Sequence, residues 1–207
     1  LGRRSLTRRR LLGLDRSGGP PPETLRGAPL RPLTLPNAIG FARLAAIPVF
    51  LAIALSSGDG REASATAIFL LVAWGDQLDG MAARLTGQYS RLGALLDPLT
   101  DRALVLAGVV VCWHFELLPR WALGVLAGRE LFMLALTQIA LRAGMDLRIN
   151  MMGRWAVWPV FFAIFLAMIS TTWVAAASLY VGLAMTLAAT ALYLHDGYRH
   201  LKASSST

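Results

Sequence analysis

Between positions 76 and 101 the chain reads Asp76-Gln77-Leu78-Asp79-Gly80-Met81-Ala82-Ala83-Arg84, then, eight residues on, Gly93-Ala94-Leu95-Leu96-Asp97-Pro98-Leu99-Thr100-Asp101. Asp76 and Asp79 are three apart, and Asp97 and Asp101 are four apart. On helices, both spacings put the two carboxylates of a pair on one face, one turn from each other. An ionised Asp at mid-membrane costs roughly 2.5–3.5 kcal/mol on insertion scales, and the surrounding chain is apolar enough for lipid. Four such groups require a positive partner. A divalent cation is the natural one, because Mg²⁺ and Mn²⁺ take oxygen ligands. With neither Cys nor His in the cluster, zinc is not expected.

The small residues beside the aspartates suggest a groove. Gly80 follows Asp79 directly, Ala83 stands one turn from Asp79, and Gly93 one turn before Asp97. Short side chains on these faces clear room for a planar ligand to approach the backbone. Arg84, at the end of the same stretch, can grip a phosphate with two parallel hydrogen bonds. Metal, groove and arginine together describe a site for a pyrophosphate that carries a base.

The elements that must hold this site are helices in a membrane. The chain has 207 residues, 56% of them hydrophobic and only 15% charged, against about 25% charged in soluble domains. Mean hydropathy is +0.54. Six apolar stretches are each long enough to cross a bilayer at about 20 residues per span. They lie near 39–56, 63–85, 92–115, 118–141, 151–170 and 173–195. The fold class expected is therefore all-α, an integral membrane bundle of six transmembrane helices. Residues 1–32 read as a basic, disordered tail, 33–200 as the six-span domain and 201–207 as a polar C-terminal tail.

Charge distribution orients the bundle. Eight of the 20 basic residues lie in the first 31 positions. Arg84 and Arg91, then Arg142, Arg148 and Arg154, and finally Arg199 and Lys202 are expected on the same side as this tail. The other connections are neutral or nearly so: 57–62 with Asp59, Arg61 and Glu62, 115–120 with Glu116 and Arg120, and the uncharged 170–172. The positive-inside rule then places both termini in the cytoplasm, and the Asp cluster at the cytoplasmic mouth of the bundle. Anionic lipid accounts for the basic tail, so nucleic acid is not an expected partner. The single cysteine, Cys112, excludes an intrachain disulfide. No apolar region of about 7–15 residues follows the Arg-Arg-Ser-Leu-Thr run, so a cleaved signal is not expected.

The pattern Asp76-x2-Asp79-Gly80-x2-Ala83-Arg84-x8-Gly93-x3-Asp97-x3-Asp101 resembles, at every fixed position, the signature of the CDP-alcohol phosphotransferases. The six-span reading extends the resemblance over about residues 33–200. The resemblance implies a membrane enzyme of phospholipid biosynthesis. Such an enzyme transfers the phosphatidyl group of CDP-diacylglycerol to an alcohol and releases CMP. It further implies two divalent ions, Mg²⁺ or Mn²⁺, held by Asp76, Asp79, Asp97 and Asp101, with Asp101 as the catalytic base. Gly80, Ala83, Arg84 and Gly93, together with Asn37, would shape the cytidine-diphosphate pocket. A homodimer in the inner membrane, with its active site facing the cytoplasm, is implied in the same way.

Weaker features bear on the acceptor. Leu35-Pro36-Asn37-Ala38-Ile39-Gly40-Phe41-Ala42-Arg43 resembles the start of the bacterial phosphatidylglycerophosphate synthase and cardiolipin synthase branch, which usually has Thr where Gly40 stands. Gly128-Arg129-Glu130 resembles an Arg-Glu pair of the same branch; it serves either the acceptor or helix packing. Gly153-Arg154 stands where these enzymes have Gly-Lys, without the Thr that follows there. Arg129, Arg148 and Arg154 are the acceptor-binding candidates. Glycerol 3-phosphate is the favoured acceptor and phosphatidylglycerol, the substrate of a cardiolipin synthase, the alternative. An inositol phosphate is disfavoured, because the Arg-x2-Ala-Glu-x2-Gly pattern is absent. Outside enzymes, the competing reading is a small cation transporter, which would need a polar path through the outer halves of the spans. Those halves are rich in Leu, Val, Ala and Trp.

Overall fold

The computed structural model describes residues 32–142 and 151–204; the side chains of Asp76, Ala94 and residues 140–142, 151–155 and 196–204 lie outside the description. Every regular element among the described residues is an α-helix. They are α1 (Leu35–Ser56), α2 (Ala63–Thr86), α3 (Arg91–His114), α4 (Arg120–Arg142), α5 (Met151–Ile169) and α6 (Trp173–Ser204). These bounds fall close to the six apolar stretches expected from sequence.

Two helices extend beyond their apolar stretches. α1 begins at Leu35, ahead of the apolar stretch that starts near position 39, where Thr34 caps it. The Thr34 side-chain oxygen accepts the Asn37 backbone N–H at 3.3 Å, and the Thr34 carbonyl accepts that of Ala38 at 3.0 Å. At the other end, α6 runs on beyond His195 to Ser204.

By length and apolarity, three helices qualify as membrane spans: Leu35–Ser56, Arg120–Ile139 and Trp173–His195, with Ala156–Ile169 a shorter apolar helix. α2 and α3 are long enough at 24 residues each. They carry the aspartates and several arginines, which lower their apolarity.

The chain divides into two compact units, residues 32–52 with 67–104, and residues 53–66 with 105–204. The core of the first is built on Ile47, Phe50, Phe69, Val72, Leu96 and Leu104, all buried. The Phe50 and Phe69 rings meet at 5.5 Å, tilted by 51°, a favoured aromatic arrangement. The turn from α2 to α3 starts at Gly87, whose φ of +66° is the left-handed conformation that ends helices and favours glycine. Ser90 then caps α3, its hydroxyl accepting the Gly93 N–H at 3.0 Å. With so short a turn, α2 and α3 run antiparallel as neighbours.

In the second unit, α5 and α6 pack together and α4 also packs on α6. Leu123, Leu126, Val160, Ile164, Met168 and Leu179 form its interior. Gly182 of α6 lies against the backbone of α5, where a Cβ would stand 2.7 Å from Val160 Cγ2 and 3.0 Å from the Val160 nitrogen. Small residues permit such backbone approach between helices in lipid. Large apolar side chains such as Leu71, Trp74, Trp121, Ile139 and Trp173 remain exposed, as a lipid-facing surface requires.

Candidate active site

The first unit brings α1, α2 and α3 to a common point, and an arginine stands at its centre. Arg43 of α1 is 4% exposed, as is the side chain of Asp79, and its Nη1 lies 2.7 Å from Asp79 Oδ2. Its Nη2 lies 3.0 Å from Asp101 Oδ1, on a side chain 30% exposed. Its Nε donates to the Val72 carbonyl at 3.0 Å. One planar guanidinium therefore bridges a carboxylate from each of the two motif helices, an arrangement suited to the fixed fork of arginine. Charge-assisted bonds of this kind are roughly twice as strong as neutral ones.

Helix geometry puts the two carboxylates within reach of one guanidinium. Asp79 precedes the end of α2 by seven residues and Asp101 follows the start of α3 by ten. At 1.5 Å per residue these are about 10 and 15 Å along their helices from the turn. Gly75 makes room for the bridging arginine. A Cβ there would fall 2.5 Å from Arg43 Cδ and 2.8 Å from its Nε.

The remaining motif residues stand on the same two helices. Asp97 is half-buried one turn before Asp101. Asp76 stands on α2 one turn before Asp79, with its side chain outside the described residues. The Arg84 guanidinium lies over Gly80, whose added Cβ would approach Arg84 Nη1 to 3.4 Å. Ala83 is half-buried beside them. Gly80 and Arg84 thus form a unit, a cation resting across a bare stretch of helix.

Asn37 and Gly93 occupy a second contact of the same unit. Asn37 is buried, accepts the Ser90 hydroxyl at 2.7 Å through Oδ1 and donates through Nδ2 to the Pro32 carbonyl at 3.2 Å. A Cβ on Gly93 would stand 2.8 Å from Asn37 Oδ1 and 3.2 Å from Ser90 Oγ. Both residues therefore join the start of α1 to the start of α3. The Leu35 N–H also donates to Gln88 Oε1 at 3.0 Å.

The acceptor candidates belong to the second unit or fall outside the described residues. Arg129 belongs to the second unit, ion-paired through Nη1 to Glu130 and donating through Nε to Thr190 Oγ1 at 2.9 Å. Thr190 in turn donates to the Thr186 carbonyl at 2.9 Å. Glu130 is buried, so Arg129 supplies the charge that a buried carboxylate needs. Arg148 lies outside the described residues; Arg154 stands on α5 with its side chain outside them.

Whether the site suits divalent cations is a question of donor chemistry. Asp79 and Asp101 present carboxylate oxygens from two helices to one positive group, and oxygen donors are what Mg²⁺ and Mn²⁺ select. Among the described residues no three Asp, Glu, His or Cys side chains converge as a metal centre; the Asp76 side chain is not among them. These two carboxylates already share one positive group, the Arg43 guanidinium. The residues fit such an ion.

Sequence reasoning named Arg43 only as the end of a stretch and did not place it in the site; it also passed over Ser90. A signal for Arg43 was present, since a lone arginine inside an apolar span needs a carboxylate partner.

The family model of CDP-alcohol phosphatidyltransferase matches residues 33–190, and the chain belongs to that family. It is therefore a transferase of phospholipid biosynthesis, which decides against the cation transporter. Among its relatives is "Cardiolipin synthase (CMP-forming)" of Streptomyces coelicolor, 35% identical over 173 residues that cover 81% of this chain and 80% of the relative. A second is "CDP-diacylglycerol--glycerol-3-phosphate 3-phosphatidyltransferase" of Bacillus subtilis, 32% identical over 142 residues, covering 63% and 74% respectively. A third, "Probable phosphatidylglycerophosphate synthase" of Mycobacterium tuberculosis, is 32% identical over 114 residues, covering 53% of this chain and 54% of the relative.

Proposed function

We propose that this chain is a metal-dependent phosphatidyltransferase that moves the phosphatidyl group of CDP-diacylglycerol to phosphatidylglycerol, forming cardiolipin and CMP. The observation that carries the reaction type is the convergence of Asp79 and Asp101, from the two motif helices, on one positive group. Asp76, Asp79, Asp97 and Asp101 would hold the divalent ions. The chemistry such an ion would supply there is neutralisation of the donor's pyrophosphate charge.

The chain's own groups do the rest. Arg84, seated over Gly80, receives a donor phosphate, and Ala83 keeps the neighbouring face low. Asp101, more exposed than Asp79, takes the proton of the acceptor hydroxyl as its oxygen attacks the phosphatidyl phosphorus. A new P–O bond forms, the bond to the CMP oxygen breaks, and CMP leaves with that electron pair. Arg43, bonded to Asp79 through Nη1 and to Asp101 through Nη2, fixes α2 against α3 while this happens.

The sequence alone put glycerol 3-phosphate first. Two observations favour phosphatidylglycerol instead. Arg129, a candidate for a cationic acceptor pocket, is engaged by Glu130 and Thr190. The Streptomyces coelicolor cardiolipin synthase also covers more of the chain than the Bacillus subtilis glycerol-3-phosphate enzyme. The latter keeps glycerol 3-phosphate as the second reading. The six helices are read as six spans, with both termini and the Asp cluster on the cytoplasmic side of the inner membrane, on the strength of the arginine distribution.

Purified protein in detergent tests the reading. CDP-diacylglycerol is supplied with phosphatidylglycerol or with glycerol 3-phosphate, and CMP release is followed with Mn²⁺ or EDTA. Release with phosphatidylglycerol and Mn²⁺ is expected. Product from glycerol 3-phosphate alone would reverse the acceptor assignment, and release undiminished in EDTA would remove the metal.

A further inference from the structure

We infer that Arg43 is the resident counter-ion of the carboxylate site, and that its charge opposes divalent-cation binding there. The inference rests on the metal reading proposed above and adds a residue that lies outside the aspartate motif.

Three observations carry it. Arg43 is almost fully buried and divides its two terminal nitrogens between Asp79 and Asp101. Its Nε is tied to the Val72 carbonyl, which anchors the guanidinium to α2 independently of the carboxylates. Gly75 leaves the space through which its stem passes, since any Cβ there would overlap Arg43 Cδ. The fold therefore builds a seat for a positive charge between the two motif helices.

The consequence is electrostatic. A cation ligated by Asp79 or Asp101 lies about 2 Å from the carboxylate oxygen, and the Arg43 nitrogens lie 2.7 and 3.0 Å from theirs. The two positive centres then stand within about 6 Å of each other, in a site whose dielectric is far below that of water. Each weakens the binding of the other, and the coupling is reciprocal. Arg43 thus keeps Asp79 and Asp101 together when no divalent ion is bound, and lowers the affinity once one is. A site so arranged can lose its ion without coming apart.

The test compares wild type with Arg43→Gln and Arg43→Lys, each purified in detergent and freed of divalent ions before Mn²⁺ is titrated in. Mn²⁺ binding is read by electron paramagnetic resonance, and thermal unfolding is recorded in Mn²⁺ and in EDTA. Arg43→Gln should bind Mn²⁺ about tenfold more tightly, and its melting temperature should fall further than that of wild type on transfer to EDTA. Arg43→Lys, which retains the charge, should stay within about threefold of the wild-type affinity. Unchanged or weaker Mn²⁺ binding by folded Arg43→Gln overturns the inference. So does an Arg43→Gln protein unfolded in both conditions, or a Lys variant that binds as tightly as the Gln variant. Wild-type protein that binds no Mn²⁺ and releases CMP in EDTA instead overturns the metal reading itself.

Discussion

The Ser90 hydroxyl donates to Asn37 Oδ1 at 2.7 Å across 53 residues of sequence, in a buried contact. It couples the cap of α3 to the first turn of α1, because the same hydroxyl accepts the Gly93 N–H. Removing either partner leaves a buried polar group unsatisfied, which costs about 1–3 kcal/mol. Ser90→Ala removes the cap as well, and caps contribute about 0.5–2 kcal/mol. Both Ser90→Ala and Asn37→Ala should therefore lower the melting temperature in detergent, with Ser90→Ala the more damaging. A Ser90→Ala protein that unfolds at the wild-type temperature would show the contact to be energetically idle.

Gly75 is expected to be intolerant of any side chain. Alanine there would place its Cβ 2.5 Å from Arg43 Cδ, closer than real contacts allow. The arginine stem must shift, and its bridge to Asp79 and Asp101 shifts with it. Overpacking of this kind costs about 1–3 kcal/mol. CMP release by Gly75→Ala should fall tenfold or more, on the order of the loss that small misplacements of a reacting constellation produce. Wild-type turnover and stability together would show that Arg43 has another seat.

Much of this architecture could be read directly from residue order. The helix bounds follow from apolar blocks interrupted at Gly58-Asp59-Gly60 and Gly87, while Asp79 and Asp101 are joined through Arg43. The bridge between them was hidden because Arg43 lies 36 residues from Asp79 and 58 from Asp101, and no local pattern encodes such a pairing. Asn37 shows the reverse difficulty. Its resemblance-based place in the nucleotide pocket says nothing of Ser90, whose role follows only once α1 is set beside the α2–α3 turn. Arg129 and Glu130 are adjacent in sequence, yet the third partner, Thr190, comes from α6 and required the fold.

Loss of the proposed base should separate chemistry from folding. Asp101→Asn keeps the size of the side chain and an oxygen for Arg43, but cannot take up a proton from the acceptor hydroxyl at neutral pH. General bases contribute about 10²- to 10⁴-fold, so kcat for CMP release should fall within that range while the protein still unfolds cooperatively. Turnover within a factor of two of wild type would move the base elsewhere, on a scale where one decade is about 1.4 kcal/mol.

Arg129 is expected to serve the helices rather than the acceptor. Arg129→Met leaves Glu130, buried with a side chain 5% exposed, without its ion-pair partner, and breaking a buried pair costs about 3–5 kcal/mol. Thr190→Val removes one hydrogen bond of that arginine and should cost about 1 kcal/mol. If packing is the role, Thr190→Val lowers the melting temperature slightly and leaves the KM for phosphatidylglycerol unchanged. A several-fold rise in that KM without loss of stability would return Arg129 to the acceptor site.

The contact of Gly182 with Val160 offers a test that separates side-chain from backbone crowding. A Cβ at 182 would meet Val160 Cγ2 at 2.7 Å, the Val160 nitrogen at 3.0 Å and the Pro159 carbonyl carbon at 3.3 Å. Truncating Val160 removes only the first of these. Gly182→Ala should destabilise by about 1–3 kcal/mol, the usual cost of overpacking, although alanine is the better helix former by about 1 kcal/mol. Adding Val160→Ala should recover part of the loss, because α5 still presents its backbone at the same place. Full recovery in the double variant would mean that the valine methyl alone sets the approach of α5 and α6. No recovery would mean that the backbone alone sets it, through the close approach that small residues allow between helices in lipid.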